Sequence, residues 1–396
     1  MHTESALQQG RKAFRQQDWG EAYTLLSSSD TKASLKPKDL RELAEAAYLI
    51  GKESDFIDTL KRTHQIFLDK GDAVQAANCA FWLGITLFNQ GKHAQGGGWI
   101  GRAQHLIDGC GQKCVEQGLL LVPQALQRLR EGDAEGAYNL FKKAGIIGQK
   151  FGAPDLMALS LLGRGQALIH ENKISDGTTL FDEAMVGVVS GEVSPIVSGI
   201  VYCAVIDTCQ KIYDLSRSQE WTAALSRWCD SQPDLIPYRG QCLVRRSEIM
   251  QLHGQWSDAL EEAKQACTLP RPSHPPATGE AFYRQAELYR LQGKFSQAEE
   301  AYRRAGQEGR KPQPGLALLR LAQDRVEDAE AAISRMEEEK ESEIARSNIL
   351  PAYIEIMLSS KKMAKADFLT DEQKRDILYN NAVRFLQMDS ESKGQQ

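Results

Sequence analysis

The sequence predicts an all-α protein built from helical hairpins that stack one on the next. A pattern of small residues, large residues and a short turn returns along the chain. It is clearest at 281–305, AFYRQAELYRLQGKFSQAEEAYRRA, where Ala286 and Tyr289 precede a turn at Gly293 and Ala298 follows it. Small residues let two helices approach closely, large ones fill the space beside them, and glycine ends the first helix. Alternating, strand-like runs are nearly absent.

Four further segments repeat the same pattern. Their paired small residues, one on each predicted helix, are Gly84 and Gly96, Ala125 and Ala137, Gly165 and Gly177, and Ser247 and Ala259. The pattern resembles that of tetratricopeptide repeats. This resemblance implies a right-handed superhelical solenoid of helical hairpins, a fold that usually forms a binding surface rather than an active site.

The spacing of the repeats is longer than usual for this type. Gly84 and Ala125 lie 41 residues apart, and Ala125 and Gly165 lie 40 apart, against a usual period of about 34. Either longer helices or longer loops between repeats would explain the difference. The stretches 190–195 and 268–279 favour loops at two places, because four prolines within 270–276 exclude a continuous helix there.

Weaker versions of the pattern extend the array in both directions. A first hairpin is predicted around Gly10 and Ala22, before a second near Gly51. Residues 195–228 are predicted to be a repeat with an elongated first helix. A short pair follows at 315–336 and the first helix of a further repeat lies at 349–359, so we expect one repeat domain over residues 1–360.

Residues 361–396 are predicted to form a C-terminal helix and a disordered tail. Thr370, followed by Gln373 three residues later, has the pattern of a capping box at the start of a helix. The helix is expected to span about 370–388.

The composition excludes several classes of function. The chain is 42% hydrophobic and 26% charged, as in soluble folded proteins, with a net charge of −5 and a pI of about 5.9. Because phosphate neutralisation needs a clustered basic surface, we expect no direct nucleic-acid binding. No apolar run approaches the roughly 18–20 residues that cross a bilayer, and the start, MHTESALQQGRKAF, has no apolar signal core. We therefore expect a cytoplasmic protein with no membrane partner.

The eight cysteines lie mostly in apolar helical stretches, which favours reduced thiols packed as small hydrophobic groups. Cys110 and Cys114 would share one helical face, near His105, if that stretch is helical. No second pair completes a tetrahedral metal site. We predict neither a metal nor a cofactor.

Motifs for the common catalytic chemistries are missing from the sequence. It contains no GxxxxGK(S/T) phosphate loop, and no GxSxG nucleophile turn. The run Gly96-Gly97-Gly98 falls where two helices of a repeat must meet, so we interpret it as packing rather than phosphate binding. The same interpretation applies to the glycines of 163–166. We predict that the protein is not an enzyme.

The segment 220–325 carries a more specific resemblance. It is similar to the tetratricopeptide region of bacterial LuxR-type transcriptional regulators, most clearly at 221–233, 238–254 and 309–323. Weaker similarity covers most of residues 1–358. Such regulators typically end in a helix-turn-helix domain, which would imply DNA binding by the C-terminus. Here only about three dozen residues follow Lys361, too few for the several helices that such a domain needs.

A different resemblance concerns 369–388, LTDEQKRDILYNNAVRFLQM. It is similar to the closing helix of amidohydrolases related to metal-dependent decarboxylases, and it carries no active-site group. Those enzymes need a barrel and an H-x-H pair with further ligands, and the seven histidines here include no such pair. The alternatives are a fused or borrowed tail and a capping helix that only resembles one.

The first helix of each tetratricopeptide-like hairpin is expected to line a concave face. Counting from its small residue, the outward positions lie three before it and one, four and five after it. The aromatic, amide and charged side chains at these positions suit an extended peptide or a helix. The predicted partner-binding residues are Phe81, Phe88, Asn89, Gln166, His170, Glu248, Gln251, Tyr283, Glu287 and Arg290.

The functional hypothesis is a non-catalytic interaction or sensor scaffold of a bacterial LuxR-type regulatory system, with a protein or peptide partner in the concave groove. One alternative is a transcriptional regulator whose DNA-binding domain is lost or supplied by a partner. Another is a fragment or fusion associated with a metal-dependent amidohydrolase.

Overall fold

A computed structural model describes residues 5–32, 34–232, 234–269, 276–338 and 343–360. Within these ranges every regular element is an α-helix, and none is long and apolar enough to cross a membrane. The chain divides into two compact units, Met1–Thr278 and Gly279–Gln396, called here the N-terminal and C-terminal units. The predicted helix at 370–388 lies outside the described residues.

The N-terminal unit contains fifteen of the described helices, arranged mainly as sequential antiparallel pairs. These are α1 (Ala6–Arg15), α2 (Trp19–Lys32), α3 (Pro37–Leu49), α4 (Glu53–Asp69), α5 (Ala73–Asn89), α6 (His93–Cys110), α7 (Glu116–Leu119), α8 (Leu121–Arg130), α9 (Ala134–Phe151), α10 (Pro154–His170), α11 (Ile174–Val189), α12 (Pro195–Lys211), α13 (Leu215–Asp230), α14 (Arg239–Leu252) and α15 (Trp256–Thr268).

A residue in the left-handed region ends the first helix of each pair. In chain order these residues are Gln17, Gly51, Gly91, Gly132, Asn172, Tyr213 and Gly254, followed by Gly293 and Asp324 further along. From Gly51 to Gly254 they recur every 40 or 41 residues. The helices between α9 and α13 are each 16 to 18 residues long. Two 17-residue helices already fill the usual 34-residue repeat, so longer helices are the main cause of the long period.

The region 195–228 forms the predicted repeat, the pair α12 and α13, with Tyr213 at φ 60° between them. Its first helix is not elongated as expected, because α12 has 17 residues, like α10. Asp214 begins α13, where its side chain accepts a hydrogen bond from the Arg217 backbone N–H at 3.1 Å. No glycine marks this turn, so the sequence pattern placed the end of the first helix too late.

Small residues set the distance between paired helices, as predicted. A Cβ on Gly84 would lie 3.1 Å from the Gly96 carbonyl oxygen, and one on Gly165 would lie 2.8 Å from that of Gly177. Phe181 fills the space beside the second of these contacts and is fully buried. The packing interpretation is therefore confirmed for these glycines.

The segment between α13 and α14 closes the N-terminal unit on itself. Trp19 at the start of α2 donates its indole N–H to Gln232 Oε1 at 2.8 Å. The Ile236 backbone N–H donates to the Leu49 carbonyl at 2.9 Å, and the Tyr238 hydroxyl donates to the Ile196 carbonyl at 2.8 Å. The first two hairpins thus pack against a segment about two hundred residues later in the chain, which the sequence did not predict.

The C-terminal unit continues the paired arrangement. Its helices are α16 (Pro276–Leu291), which spans the boundary, α17 (Phe295–Gln307), α18 (Gly315–Ala322), α19 (Val326–Glu338) and α20 (Glu343–Ser359). Its described core has two clusters, one around Tyr283 and Tyr302 and the other around Ile333 and Ile356. Helix α20 includes the helix predicted at 349–359 and begins earlier.

Candidate partner-binding groove

The ten predicted partner-binding residues differ widely in exposure. Four are buried: Phe81, Glu248, Tyr283 and Glu287. Four are partly buried: Phe88, Gln166, Gln251 and Arg290. Two are exposed: Asn89 and His170. Only the last two groups present surface to a partner in this structure, and the binding role of all ten stays a prediction.

Tyr283, Glu287 and Arg290 form an internal network in the C-terminal unit. Glu287 accepts a hydrogen bond from the Tyr302 hydroxyl and another from Arg290 Nη2 at 2.9 Å. The Tyr283 hydroxyl oxygen accepts from the Gly315 backbone N–H at 3.1 Å. These contacts join α16 to α17 and α18, so the three side chains stabilise packing between hairpins. Burial, followed by the charge of Glu287, raises the pKa of Tyr302 well above its ordinary value.

Glu248 belongs to a similar network between α12 and α14. It accepts hydrogen bonds from Gln210 and from Arg245, whose Nη1 lies 3.0 Å from Glu248 Oε2. Arg245 also pairs with Asp207 at 3.1 Å. The carboxylate of Glu248 is thus engaged inside the unit, and Gln251, one turn later, is partly buried.

A groove between α5, α6 and α8 combines two predicted residues with new ones. We call it the α5–α8 groove. It encloses about 570 Å³ and is lined by Ile85, Phe88 and Asn89 of α5, His93, Gly97 and Ile100 of α6, and Pro123, Gln124, Leu126, Gln127 and Arg130 of α8. On each helix the lining residues, single or in adjacent pairs, return after about one helical turn, so each helix presents one face to the groove.

Two neighbouring glycines shape the groove in opposite ways. A Cβ on Gly96 would lie 2.8 Å from Phe88 Cδ1, so this glycine lets the Phe88 ring lie close across α6. A Cβ on Gly97 would meet no atom within 4 Å, and the same holds for Gly98. The packing interpretation of the glycine run is therefore confirmed for Gly96 and wrong for the other two. Gly97 lines the groove, and its missing side chain leaves space there.

The groove lining carries one formal charge, which is positive. It contains Arg130 but no aspartate or glutamate. Arg130 is exposed in the last turn of α8 and forms no ion pair within the described part of the chain. Its neighbour Arg128, by contrast, pairs with Asp133 at 2.6 Å. The groove thus offers an apolar floor with amides and an available cation at its edge.

The predicted partner-binding residues include none on α8, although the same outward positions counted from Ala125 fall on this helix. Of these four positions, Leu126 and Arg130 line the groove, whereas Val122 and Leu129 do not.

The cysteine hypothesis depended on one continuous helix, which is not what the structure has. Helix α6 ends at Cys110, and Gly111 takes a left-handed conformation at φ 63°. Cys114 lies beyond that end, so the two thiols do not share a helical face. Cys110 instead donates to the Ile107 carbonyl at 3.1 Å. In the described ranges, no three metal-binding side chains converge.

Comparison with known proteins identifies a fold but no family. No protein-family model matches the chain, and no curated protein matches it. The crystal structure of NprR in complex with its cognate peptide NprX superposes with a TM-score of 0.54 at 12% identity, covering 78% of this chain and 95% of that one.

Two further solved structures match with lower scores. The TPR domain of P58(IPK) gives a TM-score of 0.26 at 14% identity, covering 90% of this chain and 98% of that one. The Cut9–Hcn1 hetero-tetramer of APC/C gives 0.34 at 12% identity, covering 98% and 79%. At these identities the likeness concerns the fold alone. The predicted class, an all-α array of tetratricopeptide-like helical hairpins, is confirmed.

Proposed function

We propose that this chain is a non-catalytic scaffold that binds a peptide segment of a protein partner in the α5–α8 groove. The observation that carries the proposal is the groove itself. It is open, apolar at its floor and bordered by three amide side chains, from Asn89, Gln124 and Gln127. Amides can both donate to and accept from a peptide backbone, and an apolar floor can hold its side chains.

The lining does not favour catalysis. Nucleophilic or acid–base chemistry requires a reactive side chain held by an orienting partner. The residues that line the groove include no serine, cysteine, aspartate or glutamate, and His93 is their one imidazole. Binding is the activity that this set of groups supports.

The similarity to NprR, which was solved with a bound peptide, agrees with this function. The resemblance of 220–325 to LuxR-type regulators suggests the setting, which is a cytoplasmic bacterial regulatory system in which the chain senses or captures a partner. In such a system any contact with DNA would be made by the partner, because the net charge of this chain is −5.

The test is affinity capture from native extract with the full chain and two matched variants. The groove variant is Asn89→Asp with Gln124→Glu, which adds two negative charges to exposed lining residues. The control, Asn139→Asp with Gln95→Glu, adds the same charge at exposed positions outside the lining. We expect a partner that the intact chain and the control retain and the groove variant loses.

Hydrogen exchange then locates the contact. The captured complex should protect amides of α5 and α8 relative to the free chain. Equal capture by the groove variant and the control, or a partner whose protection falls elsewhere, would remove the groove from the function. No retained partner at all would count against the scaffold itself.

A further inference from the structure

The α5–α8 groove also indicates what kind of segment it binds. We infer that it selects a peptide in which a large aliphatic or aromatic side chain is followed, within one or two residues, by a carboxylate. Gly97 leaves the space for the apolar side chain and Arg130 pairs with the carboxylate. This inference rests on the proposed function, because it names the chemistry of the segment bound at the same site.

The preference for a large apolar side chain comes from the apolar floor of the groove. The groove has a volume of about 570 Å³, and its apolar lining consists of Ile85, Phe88, Ile100, Pro123 and Leu126, with Gly97. Burying one leucine or phenylalanine side chain in such a space should strengthen binding by roughly 10- to 150-fold. An alanine there would leave most of the floor in contact with water, so a small side chain should bind poorly.

Gly97 is the residue that keeps this space open. Any side chain there would start at a point with no atom within 4 Å and project from the wall of the groove. Glycine inside a helix is otherwise unfavourable relative to alanine. At Gly96 that cost is offset by a close contact with Phe88, whereas Gly97 and Gly98 have no such contact, and of these two only Gly97 lines the groove.

The preference for a carboxylate in the peptide follows from the charges at the groove. Arg130 has no ion pair within the described residues, and no carboxylate lines the groove. The adjacent Glu131 is engaged elsewhere, because it accepts a hydrogen bond from Gln127 Nε2 at 2.9 Å. In a chain of net charge −5, this site complements a negative group better than a positive one. A guanidinium can hold a carboxylate through two parallel hydrogen bonds.

The probes are fluorescein-labelled heptapeptides with Gly and Ser flanks, read by fluorescence anisotropy against the full chain. Their central residues are Leu or Phe followed by Glu at the first or second position. Matched peptides carry Gln in place of Glu, and a third set carries Ala in place of Leu or Phe. We expect saturable binding of a Leu–Glu or Phe–Glu peptide, about tenfold weaker binding of its Gln counterpart, and no saturation with Ala.

Three variants connect the preference to its residues. Gly97→Leu should abolish binding by filling the groove, whereas Gly98→Leu should preserve it, because residue 98 does not line the groove. Both changes improve helix propensity, so loss of folding would not explain the difference. Arg130→Gln should bind the Glu and Gln peptides equally, because only the pairing with the carboxylate is lost.

The inference is overturned if no peptide saturates the intact chain, if the Glu and Gln peptides bind it alike, or if Gly97→Leu binds as the intact chain does. These outcomes separate from failure of the proposed function. A native partner that still protects α5 and α8 while the peptides show no acid preference would refute the chemistry alone. A chain that captures no partner from extract would refute the scaffold.

Discussion

Trp19 Nε1 donates a hydrogen bond of 2.8 Å to Gln232 Oε1, across 213 residues of sequence, and both side chains are 2% exposed. In a repeat array each unit normally contacts only its neighbours. This hydrogen bond, with that between Ile236 and Leu49 nearby, joins the first hairpins to the segment after α13. The stability of α1–α4 should therefore depend on residues far along the chain.

The substitution Gln232→Leu tests this dependence. It leaves the buried Trp19 indole N–H without its acceptor, and we expect a loss of about 1–3 kcal/mol in the free energy of unfolding of the N-terminal unit. Hydrogen exchange should accelerate in α1–α4 as well as near residue 232. Gln95→Leu, at an exposed position, serves as the control. A double-mutant cycle with Trp19→Phe should show non-additive losses, and purely additive losses would contradict the coupling.

The hydrogen bond between Trp19 and Gln232 could not be predicted from the sequence, unlike the local features of the hairpins. Turns such as Gly91 and Asn172 are local: each follows a periodic helix and is identified by its own residues. Close contacts such as Gly165 with Gly177 lie within one hairpin and follow from the same period. Gln232, by contrast, lies in an irregular segment with no pattern that names its partner. A pairing between distant repeats depends on the curvature of the array, which no single repeat specifies.

The site was predictable to a similar degree. Phe88 and Asn89 follow from the position of one helix and do line a groove. Tyr283 and Glu287 follow from the same count, yet they are buried, because α18 and Tyr302 cover them. Counting positions from the small residue of a helix gives the direction in which each side chain leaves that helix. Whether the next hairpin covers that direction depends on packing between repeats.

Glu45 should make the stability of the N-terminal unit depend on pH. Burial, followed by the charge of Asp155, raises the pKa of Glu45 from 4.5 to about 7, and Arg41 opposes the shift. Between about pH 4.5 and 7 this one carboxyl is therefore protonated to a greater extent in the folded state than in the unfolded state. The free energy of unfolding contributed by this group falls as the pH rises through that window and is constant above it.

The substitution Glu45→Gln removes this titration. We expect the variant to be more stable than the intact chain at pH 8, by up to about 3 kcal/mol, and the advantage to shrink towards pH 4.5. Urea unfolding of the two proteins across this range measures the difference, in which all other groups cancel. A difference that stays constant with pH would contradict the assignment.

Glu287 should contribute far more to the stability of the C-terminal unit than an exposed carboxylate does. Glu287→Ala deprives the Tyr302 hydroxyl and Arg290 of their acceptor, and breaking such a buried pair costs about 3–5 kcal/mol. Glu300 also forms an ion pair, with Arg303, but on an exposed face. We expect Glu300→Ala to leave the thermal midpoint unchanged, because exposed pairs contribute little. Thermal unfolding compares the two variants, and hydrogen exchange in α16 and α17 locates the loss. Equal effects would refute the structural role of the network.

Two glycine-to-alanine substitutions should change stability in opposite directions. At Gly165 a Cβ would lie 2.8 Å from the Gly177 carbonyl oxygen and 2.6 Å from Phe181 Cε1, both in a packed core. The new methyl must displace backbone or ring, so Gly165→Ala should cost about 1–3 kcal/mol despite its better helix propensity. At Gly98 the same methyl meets no atom within 4 Å, and Gly98→Ala should stabilise by about 0.5–1 kcal/mol. Chemical denaturation of the two variants gives both signs. If the two substitutions change stability in the same direction, the contact between α10 and α11 is not what requires glycine at residue 165.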